Sequence, residues 1–268
     1  MKTVVITGSA RGLGYHMAKY FRYNNYNVVI SDVYKKDVDK AIKELTKEKG
    51  KGELLGIECD ITRGKDIANL ISETKKKFKV IDIWVNNAGI NQPDKLLWEL
   101  DENEIERIIE VDLKGTALAS KYIAAEMIKE NKGAIYTVEG HGSNNAIIPG
   151  LSMYGTAKRG VTYFTKALST ELEKNKKDII VGLLSPGIMI TDFLVNALRD
   201  KKMELSDKNK KVYNILGDYP DPVAKYLVRR MISNTNNGVR IKWLTTRKVL
   251  FKFMKSVIKK NNYFEEKK

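Results

Sequence analysis

The sequence predicts a single α/β domain built on a doubly wound parallel sheet with helices on both faces. Short apolar runs alternate along the chain with longer amphipathic segments, the signature of successive βαβ units. Each apolar run is nearly continuous rather than alternating, as expected of strands covered on both faces. No Pro-, Gly- or Ser-rich linker, internal repeat or low-complexity tract divides the first 190 residues. At 268 residues the chain is long enough to bury a substantial core.

The elements follow in order. Strands are expected at 3–7, 27–31, 54–58, 81–86, 133–138 and 179–184, and helices at 12–23, 36–48, 64–77, 103–130 and 156–174. The first helix places Leu13, Met17 and Phe21 on one face. The helix at 156–174 carries Ala157, Val161, Phe164, Leu168 and Leu172 as an apolar stripe. Residues 1–195 are therefore expected to form the core. Residues 191–222 break the rhythm: they are polar, Lys-rich and poorly periodic, and they follow the last expected strand. An insertion there, at a strand's carboxyl end, reads as a substrate loop or lid within the same domain. Residues 223–268 read as a C-terminal extension. Within it, residues 240–260 hold eight Lys and Arg among apolar residues at helical spacing. Such a basic amphipathic helix either lies on an anionic membrane surface or packs on the body or another subunit.

Composition excludes several classes. The net charge of +15 comes from 38 Lys and 10 Arg scattered along the chain, with no recognised nucleic-acid module, so no nucleic-acid partner is expected. Cys59 is the only cysteine and His16 and His141 the only histidines, so neither a disulfide nor a Cys/His metal site is expected. There is no signal-peptide pattern and no run of about 18 apolar residues. The expected location is cytoplasmic, with peripheral membrane contact through residues 240–260 as a further reading.

The motifs point to a dinucleotide. The first expected strand runs into Gly8-Ser9-Ala10-Arg11-Gly12-Leu13-Gly14, and a helix opens at Gly12. Glycines let the backbone turn tightly and approach a pyrophosphate, while the helix N-terminus offers unpaired N–H groups. The second strand ends at Asp32, where a carboxylate can bind the adenosine ribose hydroxyls and repel a 2′-phosphate. That favours NAD over NADP, with Arg11, Lys35 and Lys36 softening the preference. Tyr154 and Lys158 stand four apart on a helix and so share a face. The lysine cation is expected to lower the tyrosine pKa, fitting the phenol for acid/base work on an alcohol or carbonyl.

Together Thr7-Gly8-x-x-x-Gly12-x-Gly14, Asn86-Asn87-Ala88-Gly89, Tyr154-x-x-x-Lys158 and Pro186-Gly187-x-x-x-Thr191 resemble the short-chain dehydrogenase/reductase family in order and spacing. Asp60, in Cys59-Asp60-Ile61-Thr62, resembles that family's adenine-contacting aspartate, with Ile61 beside it. The resemblance implies a Rossmann-type sheet of about seven strands. It also implies a nicotinamide cofactor and a homodimer or homotetramer. By the same resemblance Tyr154 is the acid/base, and Lys158 holds the nicotinamide ribose and assists it. Asn87, Ala88 and Gly89 line the cofactor, and Pro186, Gly187 and Thr191 hold its nicotinamide end.

Two positions depart from the family pattern. Asp112 stands where an asparagine usually supports a water in the proton relay. The serine that usually precedes the tyrosine by thirteen positions is replaced by His141. Ser143 is the nearest hydroxyl and the expected carbonyl-polarising donor, with His141 as the alternative. The segments 133–143 and 154–159 resemble the branch containing chlorophyll b reductases and microbial relatives. The expected activity is hydride transfer between NAD(H), or secondarily NADP(H), and an alcohol or carbonyl substrate. A cofactor-binding sensor or scaffold without turnover is the alternative.

Overall fold

β-Branched residues decide where the sheet forms. In the computed structural model, which describes residues 1–93, 95–191, 207–258 and 261–263, β1 (Thr3–Thr7) is buried along its whole length. Val4 and Ile6 belong to one core cluster and Val5 to the other. Alternate side chains of one strand thus feed opposite faces of the sheet, which is why its apolar run is continuous. β2 (Asn27–Asp32), β3 (Leu54–Glu58), β4 (Ile83–Asn86), β5 (Gly133–Val138) and β6 (Ile179–Ser185) follow, all in parallel register.

The sheet order is β3-β2-β1-β4-β5-β6-β7, with seven strands. The winding reverses between β1 and β4, and in such sheets the ligand crevice lies beyond the carboxyl ends at the reversal. One face is covered by α1 (Gly12–Tyr23) and α2 (Lys35–Lys47), through Met17, Phe21, Val38 and Leu45. The other is covered by α3 (Gly64–Phe78), α5 (Thr116–Glu130) and α6 (Ser152–Lys174), through Ile67, Leu70, Ile123 and Leu172.

The expected helix at 103–130 is interrupted. α4 (Glu102–Ile108) passes through a π-helical segment, Ile109–Gly115, before α5 begins. The wider turn carries Asp112 into the interior, fully buried. α6 begins at Ser152 rather than 156, so Tyr154 and Lys158 both stand in regular helix.

The core extends past residue 195. α7 (Asp207–Leu216) is followed by α8 (Pro220–Ile232), whose Val223, Leu227 and Met231 pack in the same cluster as Met17 and Phe21 of α1. Asp221 of α8 accepts from the Tyr20 hydroxyl at 2.7 Å and lies 3.2 Å from His16 Nδ1, both on α1. β7 (Arg240–Lys242) then adds the seventh strand beside β6, and α9 (Thr246–Ile258) ends the described helices. β7 is three residues long, with one buried Ile241 between two cations, so it carries no strand-length apolar signal in the sequence. Of the expected lid at 191–222, residues 192–206 lie outside the described residues. The remainder forms α7 and a parallel bridge between Met189 and Asp218.

Glu139, just beyond β5, is buried and accepts from Arg240 Nε at 2.6 Å and from the Thr162 hydroxyl at 3.0 Å. This ion pair pins β7 and α6 to the carboxyl end of β5. Arg240→Met leaves a buried carboxylate without its cation and is expected to lower unfolding stability by about 3 kcal/mol in urea titration.

Candidate active site

The glycine turn is shaped by what lies behind it. The Thr7 hydroxyl at the end of β1 accepts from the backbone N–H groups of Asn87 and Ala88, each at 3.1 Å. The Asn87 side-chain amide donates back to the carbonyls of Thr7 and Gly8 at 3.0 and 2.8 Å. This clamp leaves no room for side chains. A Cβ at Gly8, where φ is +59°, would lie 2.6 Å from Ala88 Cα, and one at Gly14 would lie 2.6 Å from Asn87 Nδ2. Gly12 shares the φ of +59°, but a Cβ there would meet nothing within 4 Å. The N-terminus of α1 opens beside that space, with no side-chain cap and no acidic residue in its first turn. Uncapped N–H groups and the positive end of a helix facing open space suit a pyrophosphate.

Other expected cofactor residues divide. Asp32 ends β2 against the turn, its carboxylate accepting from Ala10 N–H at 3.2 Å and Val33 N–H at 2.9 Å. Arg11 is exposed at the mouth, whereas Leu13 packs its side chain inward. Ser9 is turned away from the crevice. Its hydroxyl donates to the Ile6 carbonyl at 2.6 Å and accepts from Ser31 N–H at 3.1 Å, and its own N–H donates to the Ser31 carbonyl. Ser9 ties β1 to β2 and leaves neither donor to a ligand, a correction to the sequence expectation. Asp60 accepts from Thr62 N–H and hydroxyl at 2.9 and 2.8 Å, and Ile61 is buried against Gly115. Gly187, φ +79°, follows the buried Pro186 at the end of β6 and packs on Leu244. Thr191 is the last described residue before α7.

Tyr154 and Lys158 converge on a buried ion pair. Lys158 Nζ lies 3.1 Å from Asp112 Oδ2, and Asp112 Oδ1 accepts from Ile90 N–H at 2.7 Å. Gly89 makes the approach possible: a Cβ there would sit 3.0 Å from Lys158 Nζ and 3.2 Å from Asp112 Oδ1. The Tyr154 hydroxyl sits over Gly140, and Lys158 Nζ is 5.5 Å from the tyrosine ring centre. Burial raises the Tyr154 pKa and Asp112 adds to the rise, while Lys158 pulls the other way. The net direction is up, opposite to the expectation from Lys158 alone. Burial works against the Lys158 charge, but Tyr154 and Asp112 outweigh it and hold the ammonium above its ordinary range.

Ser143 does not reach the crevice. Its hydroxyl donates to the Lys158 carbonyl at 3.2 Å and accepts from Gly140 N–H at 3.3 Å, and the residue is buried. His141, between Gly140 on the Tyr154 hydroxyl and Gly142 on Gly155, has a buried Nε2 without a hydrogen-bond partner among the described residues. Burial lowers its pKa, so the ring is neutral at neutral pH.

Gln92 is a site residue the sequence reading missed. It is buried, and its side-chain oxygen accepts from the N–H groups of Met153 and Tyr154 at 2.9 and 3.0 Å, while its amide donates to the Gly150 carbonyl at 2.8 Å. Gln92 therefore caps α6 from another loop and fixes the height of Tyr154. Its only sequence signal is its position three residues beyond Gly89. Among the described residues no group of three or more His, Cys, Asp or Glu is placed to hold a metal.

Gly8→Ala and Gly12→Ala separate conformation from close approach. Both incur the left-handed backbone cost of about 1–2 kcal/mol. Only Gly8→Ala also drives a Cβ into Ala88. Urea titration is expected to show the larger loss of unfolding stability at Gly8, by more than about 1 kcal/mol over Gly12→Ala.

The short chain dehydrogenase family model matches residues 2–202. Chlorophyll(ide) b reductase NOL of Arabidopsis thaliana is 32% identical over 273 residues, covering 98% of this chain and 76% of that protein. The rice protein of the same name is 35% identical over 228 residues, covering 84% of this chain but only 65% of its own length. A 3-oxoacyl-[acyl-carrier-protein] reductase, FabG, of Staphylococcus epidermidis is 32% identical over 202 residues, covering 74% of this chain and 79% of FabG. Among solved structures, ElxO with NADP bound superposes with a TM-score of 0.78 at 28% identity, covering 90% of this chain and 96% of that one. A 3-ketoacyl-(acyl-carrier-protein) reductase from Brucella melitensis complexed with NADH gives 0.78 at 25% identity, covering 92% and 98%. The matched span holds the glycine turn, the Asn87 clamp and the Tyr154–Lys158 pair, and the chain belongs to the short-chain dehydrogenase/reductase family of oxidoreductases.

Proposed function

We propose that the protein is an NADH-preferring carbonyl reductase in which Tyr154 donates the proton and His141, rather than Ser143, polarises the substrate oxygen. The observation that carries this reading is the environment of Tyr154. A phenol buried beside a carboxylate stays protonated, and a protonated phenol is the form that reduction of a carbonyl consumes. The relatives named as reductases support the same direction.

The chemistry a bound nicotinamide supplies is the hydride. The open space at Gly12 and the uncapped α1 N-terminus would hold its pyrophosphate, and Gly187 its nicotinamide end. Asp32 at the β2 terminus supports NADH over NADPH through the ribose hydroxyls. The substrate oxygen, placed between the Tyr154 hydroxyl and the neutral His141 Nε2–H, accepts a hydrogen bond from each. As negative charge develops on that oxygen, the phenol proton moves to it, and the Lys158 ammonium stabilises the tyrosinate left behind. Asp112 keeps that ammonium charged and in place. Assembly as a homodimer or homotetramer accompanies this reading.

NADH and NADPH oxidation should be followed against a panel of ketones, aldehydes and fatty-acyl carbonyls. Tyr154→Phe is expected to reduce kcat by 10²–10⁴-fold, with cofactor affinity retained. His141→Ala should lower kcat by roughly 10²-fold, and Ser143→Ala by much less. Cofactor binding without turnover of any carbonyl would favour a sensor or scaffold instead. Asp112→Asn removes a charge that holds Tyr154 protonated, so the alkaline limb of the kcat profile for reduction is expected to move to lower pH. An unmoved limb would show that Asp112 does not act on the phenol.

A further inference from the structure

α9 is amphipathic with its faces exchanged. Two of its lysines point to the body: Lys252 Nζ lies 2.8 Å from Asp218 Oδ2 and donates to the carbonyls of Gly217 and Leu216 at 2.9 and 3.3 Å. Lys248 stacks on Trp243, whose indole N–H donates to the same Asp218 at 2.7 Å. The large apolar side chains point out. Leu250 is 62% exposed, Phe251 59%, Phe253 45% and Met254 56%. A helix that attaches through Lys248 and Lys252 and presents phenylalanines to water has a second surface to meet.

Charge decides what that surface is. From residue 222 to residue 263 the chain contains no acidic residue, and Lys242, Arg247 and Lys255 stand exposed around the apolar patch. A second copy of this chain would bring the same cationic rim and a net charge of +15. An anionic bilayer complements both parts, taking the apolar side chains at the headgroup boundary and the cations at the phosphates. Position agrees. β7 is parallel to the rest of the sheet, so Lys242 and the start of α9 lie at the carboxyl edge, where the glycine turn and Tyr154 also lie. Leu244, between β7 and α9, packs under Gly187.

We infer that the outward face of α9 docks the protein peripherally on an anionic lipid surface, with the crevice edge turned toward it. Among the described residues no helix is long and apolar enough to cross a membrane, so the contact is interfacial. The inference rests on α9 alone and stands apart from the proposed reductase chemistry.

The test is co-sedimentation of the full chain with phosphatidylcholine vesicles, with and without phosphatidylglycerol. Binding is expected only to the anionic vesicles and should weaken as salt is raised. The combined variant Leu250→Ser, Phe251→Ser, Met254→Ser should bind more than about tenfold more weakly. Circular dichroism and NADH affinity of that variant should be unchanged, since none of the three side chains is in the crevice. Arg247→Glu with Lys255→Glu, which leaves the apolar patch intact, should also weaken binding. Equal vesicle binding by wild type and the triple variant would overturn the inference. So would a wild-type oligomer, seen by light scattering, that the triple variant loses, because a second copy would then cover the face.

Discussion

An ammonium and a carboxylate taken out of water each incur several kcal/mol, repaid only when they meet at good geometry with their remaining valences satisfied. Lys158 and Asp112 are brought to 3.1 Å by three separate elements, with Asp112 Oδ1 satisfied by Ile90 N–H and Oδ2 left to the ammonium alone. α6 delivers the lysine, the π-helical segment delivers the aspartate, and the loop after β4 supplies the Ile90 N–H together with a glycine small enough to let the pair close. If any of these shifts, a charge is stranded. The irregular helix and the glycine after Asn87-Ala88 are therefore parts of one arrangement, with Tyr154 standing at its edge.

The sheet was largely legible because burial on both faces writes a continuous apolar run. Five of the six expected strand starts coincide with those found, and β4 begins two residues late although Ile81 is still buried. β7 was illegible for the converse reason: a three-residue edge strand bearing two cations has too little apolar length to register. The π-helical segment was also hidden, because inserting a residue into a helix leaves local composition unchanged and alters only which side chain faces inward.

Within the site, sequence spacing located the loops but not the direction of their side chains. Ser143 and His141 are two residues apart, and spacing alone does not reveal that the serine hydroxyl is engaged by Gly140 and Lys158. Ser9 fails as a ligand donor in the same way, its hydroxyl used between two strands. Gln92 lay beyond sequence reading because its partners, Met153 and Tyr154, are 61 and 62 positions away. Motif logic finds residues that chemistry requires by type. It is blind to residues that hold those in place by backbone contact.

The pairing of α1 with α8 has a consequence for how the chain comes into being. His16 and Tyr20 find Asp221 across 205 and 201 residues of sequence, and the apolar face of α1 shares its core with Val223 and Leu227. During synthesis the first helix emerges with its seam open, and the side chains that close it arrive only after most of the chain has left the ribosome. The opposite face of the sheet completes earlier, since its helices end at residue 174. The nascent protein thus passes through a half-covered state whose exposed valines and phenylalanine must avoid other chains until residue 231 arrives.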